Sequence, residues 1–494
     1  MKRFLLGLVV FLIIILLVAV AAVILGNKYI ANQSSEDIPS HVDIKANEHG
    51  TITAVDRGLY DANGDRFEIK GINYGNLFIA EGWMTINSVG AKYNKDGSFA
   101  SVNNQGIVEE YEEIFQEEMD AIFAERFTDE EIEALNDAFF DAYCTEADFK
   151  LISDTGLNTI RLPVYYRTFL TTHDRYRLSD EELCAMDFDS IQLVFDKVDL
   201  FMEYAQKYNL KVILDMHGVM GGQSGYEHCG TRDMDFWDTE EYIVFMSNLW
   251  QAIAEHYTTD RADLASTILA FDLANEPTKR NEAGTGPLQW QGMDRLYEAI
   301  REVDTCHVIS IEGVWYPNCL PDPADYGWEN VLYQYHFYNW NHDKGVSNEM
   351  FYSLMYALYT QTNYNVPKLV GEFNLFGNSE AWGKYLLQYD ELGWGWTIWS
   401  YKIVSVGWWD SSWGIVVNKL NLQNDRNTAI EDYDLKLDLR TASYEEILAA
   451  WSSEHTQYDG QDGAYKLYRD GMLYNVLKDY FGEDFKIDSR ELNK

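Results

Sequence analysis

Short apolar runs separated by longer stretches of helical period dominate the chain from residue 51 onward. The runs occupy 157–163, 210–217, 268–276, 307–313, 331–338, 367–373 and 395–400, and an earlier one ends near Asn73. Each has the length of a strand and is apolar on both faces, as a strand covered by helices must be. Segments such as 189–208 and 237–257 carry apolar residues at helical spacing between them. Strands alternating with helices predict an α/β fold with a parallel sheet, and eight of them predict closure into a (β/α)8 TIM barrel. A doubly wound open sheet is the alternative. It calls for a glycine-rich phosphate turn after its first strand, and Gly71-Ile72-Asn73-Tyr74-Gly75 is not one.

Three stretches depart from this alternation. Residues 51–55 and 67–69 flank Asp61-Ala62-Asn63-Gly64-Asp65, a turn signal that predicts a hairpin closing the bottom of the domain. Residues 106–149 are acidic with a helical period, which predicts helices inserted between the first and second barrel strands. Residues 419–462 are polar and turn-rich, so they read as a long loop before a final helix at 464–480. Inserts at 85–145 and 419–462 are thus expected on the barrel.

The first residues follow another rule. Lys2 and Arg3 precede an uncharged apolar run over 4–26, long enough to cross a bilayer as a helix, with the basic end in the cytoplasm. The expectation is a transmembrane anchor at 1–26, a polar tether at 27–47 and a barrel domain at 48–494 on the extracytoplasmic cell surface. Ala19-Val20-Ala21 offers a cleavage site for a signal peptide, but Val23, Ile24 and Leu25 continue the apolar run past it. Asn32-Gln33-Ser34 fits the glycosylation tripeptide.

Composition narrows the partners. With 38 basic and 80 acidic side chains the formal net charge is −42, which opposes nucleic acid and anionic lipid; membrane contact is expected through the N-terminal helix only. A neutral glycan is indifferent to that charge. The 15 Trp and 34 Tyr supply flat apolar rings of the kind sugar faces stack on, and they suit an aromatic core equally. The five cysteines form no C-x-x-C pair; Cys306 and Cys319 are close enough in sequence to bond, and free buried thiols are the default. Glu227, His228 and Cys229 are adjacent, but their spacing fits no zinc pattern and predicts a loop at a cleft rim. No G-x-S-x-G turn supports a serine nucleophile. Neither a metal nor an organic cofactor is implied, and the oligomeric state is left open.

The chemistry lies where the apolar runs stop, the end of a barrel that carries active groups. Those ends give Arg161, His217, Asn275 with Glu276, His336 with Tyr338, Glu372 and Trp399. Two glutamates among neutral and basic partners suit glycoside hydrolysis. One must arrive protonated to serve the leaving oxygen, and the other ionised to attack the anomeric carbon. Glu276 is the candidate acid/base and Glu372 the candidate nucleophile. Arg161 and the Tyr338 hydroxyl are expected to hold Glu372 ionised. Asn275 is placed to bind a sugar 2-hydroxyl, His336 and Tyr338 share a strand face, and Trp399 is placed beneath the reacting sugar. A non-catalytic glycan-binding protein would use the aromatics but would need neither glutamate.

The segments Asn158-Thr159-Ile160-Arg161-Leu162-Pro163, Leu214-Asp215-Met216-His217-Gly218, Leu273-Ala274-Asn275-Glu276-Pro277, His336-Phe337-Tyr338, Val370-Gly371-Glu372-Phe373 and Trp396-Thr397-Ile398-Trp399 resemble, in order, those of glycoside hydrolase family 5, the cellulase-like barrels. That resemblance implies an acid/base after strand four and a nucleophile after strand seven. Further stretches, Gly75-Asn76-Leu77-Phe78, Glu81-Gly82-Trp83-Met84, 217–225 and Trp399-Ser400-Tyr401-Lys402, are similar to exo-1,3-β-glucanases. They imply β-glucan as substrate, with endo-β-1,4-glucan, mannan or a glycolipid glycan as alternatives.

Overall fold

The computed structural model describes residues 34–482, apart from 91, 93, 99, 101–111, 113, 283, 406–411, 419–436, 453–454, 461–466 and 470. The expected anchor at 1–26 lies outside the described residues. Among the described residues no helix is long and apolar enough to cross a membrane.

Three short strands come first: β1 (Thr53–Val55), β2 (Gly58–Tyr60) and β3 (Arg66–Phe67), antiparallel in that order. The expected single hairpin is therefore corrected to a three-stranded meander. Asp56, at φ 52°, lets the chain reverse tightly between Val55 and Gly58, a turn with no Gly or Asn to announce it. Ile52, Leu59 and Phe67 pack on Ile213, Leu269, Leu332 and Leu369 and so seal the floor of the barrel.

β4 (Lys70–Asn73) opens the barrel, and β5 (Asn87–Ser88) lies outside it. The other staves are β6 (Thr159–Tyr165), β7 (Lys211–Gly218), β8 (Ile268–Asp272), β9 (Val308–Glu312), β10 (Val331–Tyr338), β11 (Lys368–Asn374) and β12 (Gly395–Ile398). Each pairs in parallel with its neighbours, and β12 returns to β4. This is the (β/α)8 TIM barrel the sequence predicts. Later short strands are β13 (Lys402–Ile403), β14 (Val416–Asn418), β15 (Leu437–Asp438) and β16 (Leu467–Arg469).

Helices of eight or more residues are numbered here. The insertion before β6 forms α1 (Gln116–Arg126), α2 (Asp129–Tyr143) and α3 (Glu146–Asp154). α2 opens on a capping box between Thr128 and Glu131, which satisfies two backbone donors at the helix start. The outer ring continues with α4 (Asp196–Lys207), α5 (Glu240–Glu255), α6 (Pro287–Arg301), α7 (Asn348–Tyr359) and α8 (Ser379–Leu392). α4 starts later than the expected 189 because Leu193 is used in a bridge to Leu170.

The stretch 419–462 is corrected from a loop: its described part holds β15 and a helix, α9 (Tyr444–Trp451). The final helix is α10 (Met472–Phe481), not 464–480, because β16 occupies Leu467–Arg469 and pairs with β14.

The two inserts meet. β5 pairs with β15, and Trp451 packs its ring 5.3 Å from Phe123 and 5.2 Å from Phe139 while donating to Asn87 Oδ1. Together they make a lobe on the barrel flank. A fully buried ion pair, Lys402 Nζ to Asp148 Oδ1 at 2.9 Å, ties α3 to the chain just beyond β12. Lys402 also donates to the Tyr143 carbonyl, and the Tyr401 hydroxyl donates to Asp148. All five cysteines are free, so Cys306 and Cys319 do not bond.

Candidate active site

Arg161 is the third residue of β6, level with Asn73 in β4, and so sits deep in the barrel and not at a strand end as the sequence pattern suggested. It is completely buried. Its guanidinium donates to Glu372 Oε1 at 2.8 Å, Asp272 Oδ2 at 2.9 Å, Asn275 Oδ1 at 2.9 Å and Asn73 Oδ1 at 3.1 Å. Asp215 Oδ1 lies 3.1 Å away. A planar fork of five N–H groups is the one side chain able to bind so many acceptors at once.

Glu372 in β11 is level with His336 in β10. Its second oxygen accepts from the Tyr338 hydroxyl at 3.0 Å. Glu276 follows β8 with φ 40°, a left-handed conformation that is costly for a residue with a Cβ. The conformation is held by the Glu276 amide, which donates to Glu312 Oε2 at 2.9 Å. His336 Nδ1 stands 2.9 Å from Glu276 Oε1 and 3.6 Å from Glu372 Oε2. One donor-type atom from each of Glu276, His336 and Glu372 lies within 4.8 Å of the others, so the two carboxyls face each other across a sugar-sized gap. The same set has the composition of a metal site; beneath the barrel, Glu48, His49 and Cys306 form a second such cluster.

Burial sets the electrostatics. It raises the carboxyl pKa of Glu276, and repulsion by Glu372 raises it further. Burial raises that of Glu372 as well, but there Arg161 and the Tyr338 hydroxyl oppose the rise. Glu276 is the one with the stronger hold on a proton. Arg161 favours the ionised form of Glu372, but divides its charge among Glu372, Asp215 and Asp272 and so does not cancel the effect of burial. Burial drives His217 and His336 well below the usual imidazole range, so both are neutral.

His217 Nδ1 pairs with Asp215 Oδ2 at 2.6 Å, and its ring stacks on Trp399, centroids 5.4 Å apart. Asn275 Nδ2 is 3.5 Å from His217 Nε2. His217, Asn275, Glu276, His336, Tyr338, Glu372 and Trp399 all line one cleft of about 570 Å³. Arg161 lies beneath it. Trp83, Tyr226, Trp315, Trp340 and Trp413 wall the same cleft, and Trp340 is 52% exposed. A second cavity, of about 510 Å³ between α2 and the chain after β6, brings none of the candidate residues together.

Several partners are absent from the sequence-derived set. Asp215 and Gln334 interrupt otherwise apolar stretches of β7 and β10, and Asp272 and Glu312 are the charged last residues of β8 and β9; a polar residue in an apolar run is the signal that marks them. Glu81 lines the cleft and accepts from the Trp83 indole at 2.7 Å. His228, which the sequence assigned to a rim loop, stands 3.3 Å from Glu276 Oε2.

The chain is similar to several known proteins. A β-xylosidase of Phanerodontia chrysosporium is 28% identical over 223 residues, 44% of this chain and 42% of that protein. A glucan 1,3-β-glucosidase of Kluyveromyces lactis is 34% identical over 136 residues, 27% of this chain and 28% of that one. The chain thus spans less than half the length of these curated relatives. Among solved structures, an endoglucanase of Pseudomonas stutzeri aligns at 21% identity with a TM-score of 0.38, over 54% of this chain and 79% of that one. Residues 123–405, more than half of the chain and including both glutamates, match the family described as Cellulase (glycosyl hydrolase family 5). The chain belongs to glycosyl hydrolase family 5.

Proposed function

We propose that this protein hydrolyses β-glucan with retention of anomeric configuration. The observation that carries this is the facing pair, with Glu276 and Glu372 oxygens within 4.8 Å. Retaining enzymes hold their carboxyls about 5–5.5 Å apart, whereas inverting ones need about 6.5–9.5 Å to admit a water. Glu372, ionised and oriented by Arg161 and Tyr338, attacks the anomeric carbon. Glu276 gives its proton to the departing oxygen. In the second half, Glu276 takes a proton from water, whose oxygen displaces Glu372. Asn275, held by Arg161, binds the sugar 2-hydroxyl in this reading, and Trp399, which lines the cleft, stacks beneath the reacting sugar.

The relatives named glucan 1,3-β-glucosidase support a β-1,3-linked glucan. A relative named endoglucanase 3, from Fibrobacter succinogenes, favours a β-1,4-linked glucan as the second reading. Product analysis on laminarin, lichenan, carboxymethyl cellulose and mannan separates them, and proton NMR of the first-formed anomer tests retention. Laminarin is the expected substrate and the β-anomer the expected first product. Release of the α-anomer would end the double-displacement assignment. The apolar run 4–26 after Lys2 and Arg3 supports an anchored, extracytoplasmic enzyme. Recovery of the full chain in the membrane pellet after carbonate washing is the matching test.

A further inference from the structure

We propose that Glu48, His49 and Cys306 form a zinc-type cation site at the floor of the barrel, where the ion clasps the N-terminal segment to the chain entering β9. The site lies at the opposite end of the barrel from the cleft and does not depend on the reaction assigned there. One carboxylate oxygen, one imidazole nitrogen and the thiol sulfur lie within 4.8 Å of one another. Donors on one tetrahedral ion stand roughly 3.3–3.8 Å apart, given bonds of about 2.0–2.3 Å. His49 Nε2 and Glu48 Oε1 are already 3.8 Å apart, and small side-chain rotations close the rest. Cys306 is 8% exposed and the His49 side chain 15%, whereas the Glu48 carboxylate is the ligand nearest solvent.

The donor set selects the ion. Calcium and magnesium take oxygen ligands, whereas sulfur, nitrogen and oxygen together suit Zn²⁺. Three protein ligands leave the fourth tetrahedral position to water. On binding, the Cys306 thiol gives its proton to bulk water and the sulfur–metal bond replaces the sulfur–hydrogen bond. Nothing is oxidised or reduced.

The backbone holds the three residues together by other means, so the ion meets a site already shaped. Glu48 and His49 are the central residues of a turn closed by the Gly50 amide, which donates to the Asn47 carbonyl at 3.2 Å. Gly50 takes φ 65°, which glycine adopts without strain. Asn47 Oδ1 accepts from the Thr51 amide at 3.0 Å, and Asn47 Nδ2 donates to Thr51 Oγ1 at 2.7 Å. Thr51 Oγ1 donates in turn to the Cys306 carbonyl at 2.9 Å, which Asn330 Nδ2 also reaches at 3.0 Å. The Glu48 amide and the Thr305 hydroxyl hydrogen-bond Cys306 Sγ and fix its direction.

The test titrates the full chain with Co²⁺, because cobalt bound to a thiolate shows a charge-transfer absorption in the near ultraviolet that oxygen and nitrogen ligands do not give. The band is expected to saturate at one cobalt per chain and to be displaced by Zn²⁺. Glu276, His336 and Glu372 have the composition of a metal site but hold no sulfur, so Glu372→Gln should keep the band. Cys306→Ser should lose it. His49→Ala, on the turn, carries the test if the serine variant does not fold. Its Zn²⁺ affinity is expected to fall by at least the ~10–100-fold that loss of a supporting group costs. Zn²⁺ should also raise the thermal midpoint of the wild-type chain, since it binds the native state, and raise that of His49→Ala less. No band with cobalt in large excess, a band that survives in Cys306→Ser, or a His49→Ala variant that binds Zn²⁺ as tightly as wild type would overturn the assignment.

Discussion

The barrel and the lobe on its flank hold themselves together in different ways. In the barrel each strand pairs with the stave before or after it in order, β12 closing the ring on β4, and the candidate residues that line the cleft come from β7, β10 and β11 or just follow β8 and β12. In the lobe, β5 pairs with β15, and Asn87 bonds Trp451, 364 residues later. The barrel concentrates charge inward around Arg161. The lobe concentrates aromatic rings and is tied down by a buried ion pair, Lys402 with Asp148. The chemistry belongs to the first region, and the second is a packing problem solved beside it.

That contrast breaks if the barrel glutamates prove dispensable. Glu372→Gln should lower kcat on an activated aryl β-glucoside roughly 10⁵-fold, as loss of a nucleophile does, with an unchanged circular dichroism spectrum. Turnover close to wild type would remove Glu372 from the mechanism. Glu276→Ala should cost about 10²–10⁴-fold on laminarin, and added azide should restore rate with a β-glycosyl azide as product. An α-azide, or no rescue, would count against both the residue and the stereochemistry.

The lobe is probed by stability. Lys402→Met leaves Asp148 buried without its cation, so unfolding free energy should fall by about 3–5 kcal/mol, read as a lower urea midpoint. An unchanged midpoint would mean that the lobe is not fastened there. The smallest effect sharpens the barrel side. Activity should rise with pH as Glu372 loses its proton and fall as Glu276 loses its own. Burial raises both, so both limbs of the kcat/KM profile should lie above the ordinary carboxylate range near 4. A bell centred near pH 4 would show the cleft to be wetter than its walls suggest.

The same contrast explains what the sequence disclosed. The staves were legible because each is a local apolar run, and Glu276, Glu372, His217, His336, Tyr338 and Trp399 were legible because each closes or adjoins such a run. Arg161 was found but placed too high, since nothing local says how far a strand continues past a charged residue. Asp272 and Glu312 were passed over because each lies inside its apolar run as read along the chain, 268–276 and 307–313, short of the end where candidates were sought. His228 was assigned to a rim because its contact with Glu276 comes from another loop. The β1–β2 turn lacks glycine, and α9 with its partners lies too far along the chain from α1 and α2 for any periodicity to join them.

The docking of Trp451 against Phe123 and Phe139 bears on where this protein can be cut. Every stave and both glutamates precede residue 400, so a gene trimmed there encodes the whole reaction centre. It would also uncover two aromatic rings and take from Arg126 its carbonyl partners at Leu439 and Ala442, leaving an adhesive face on each molecule. Evolutionary gain or loss of either insert carries the same cost, so the two are expected to be inherited as a pair.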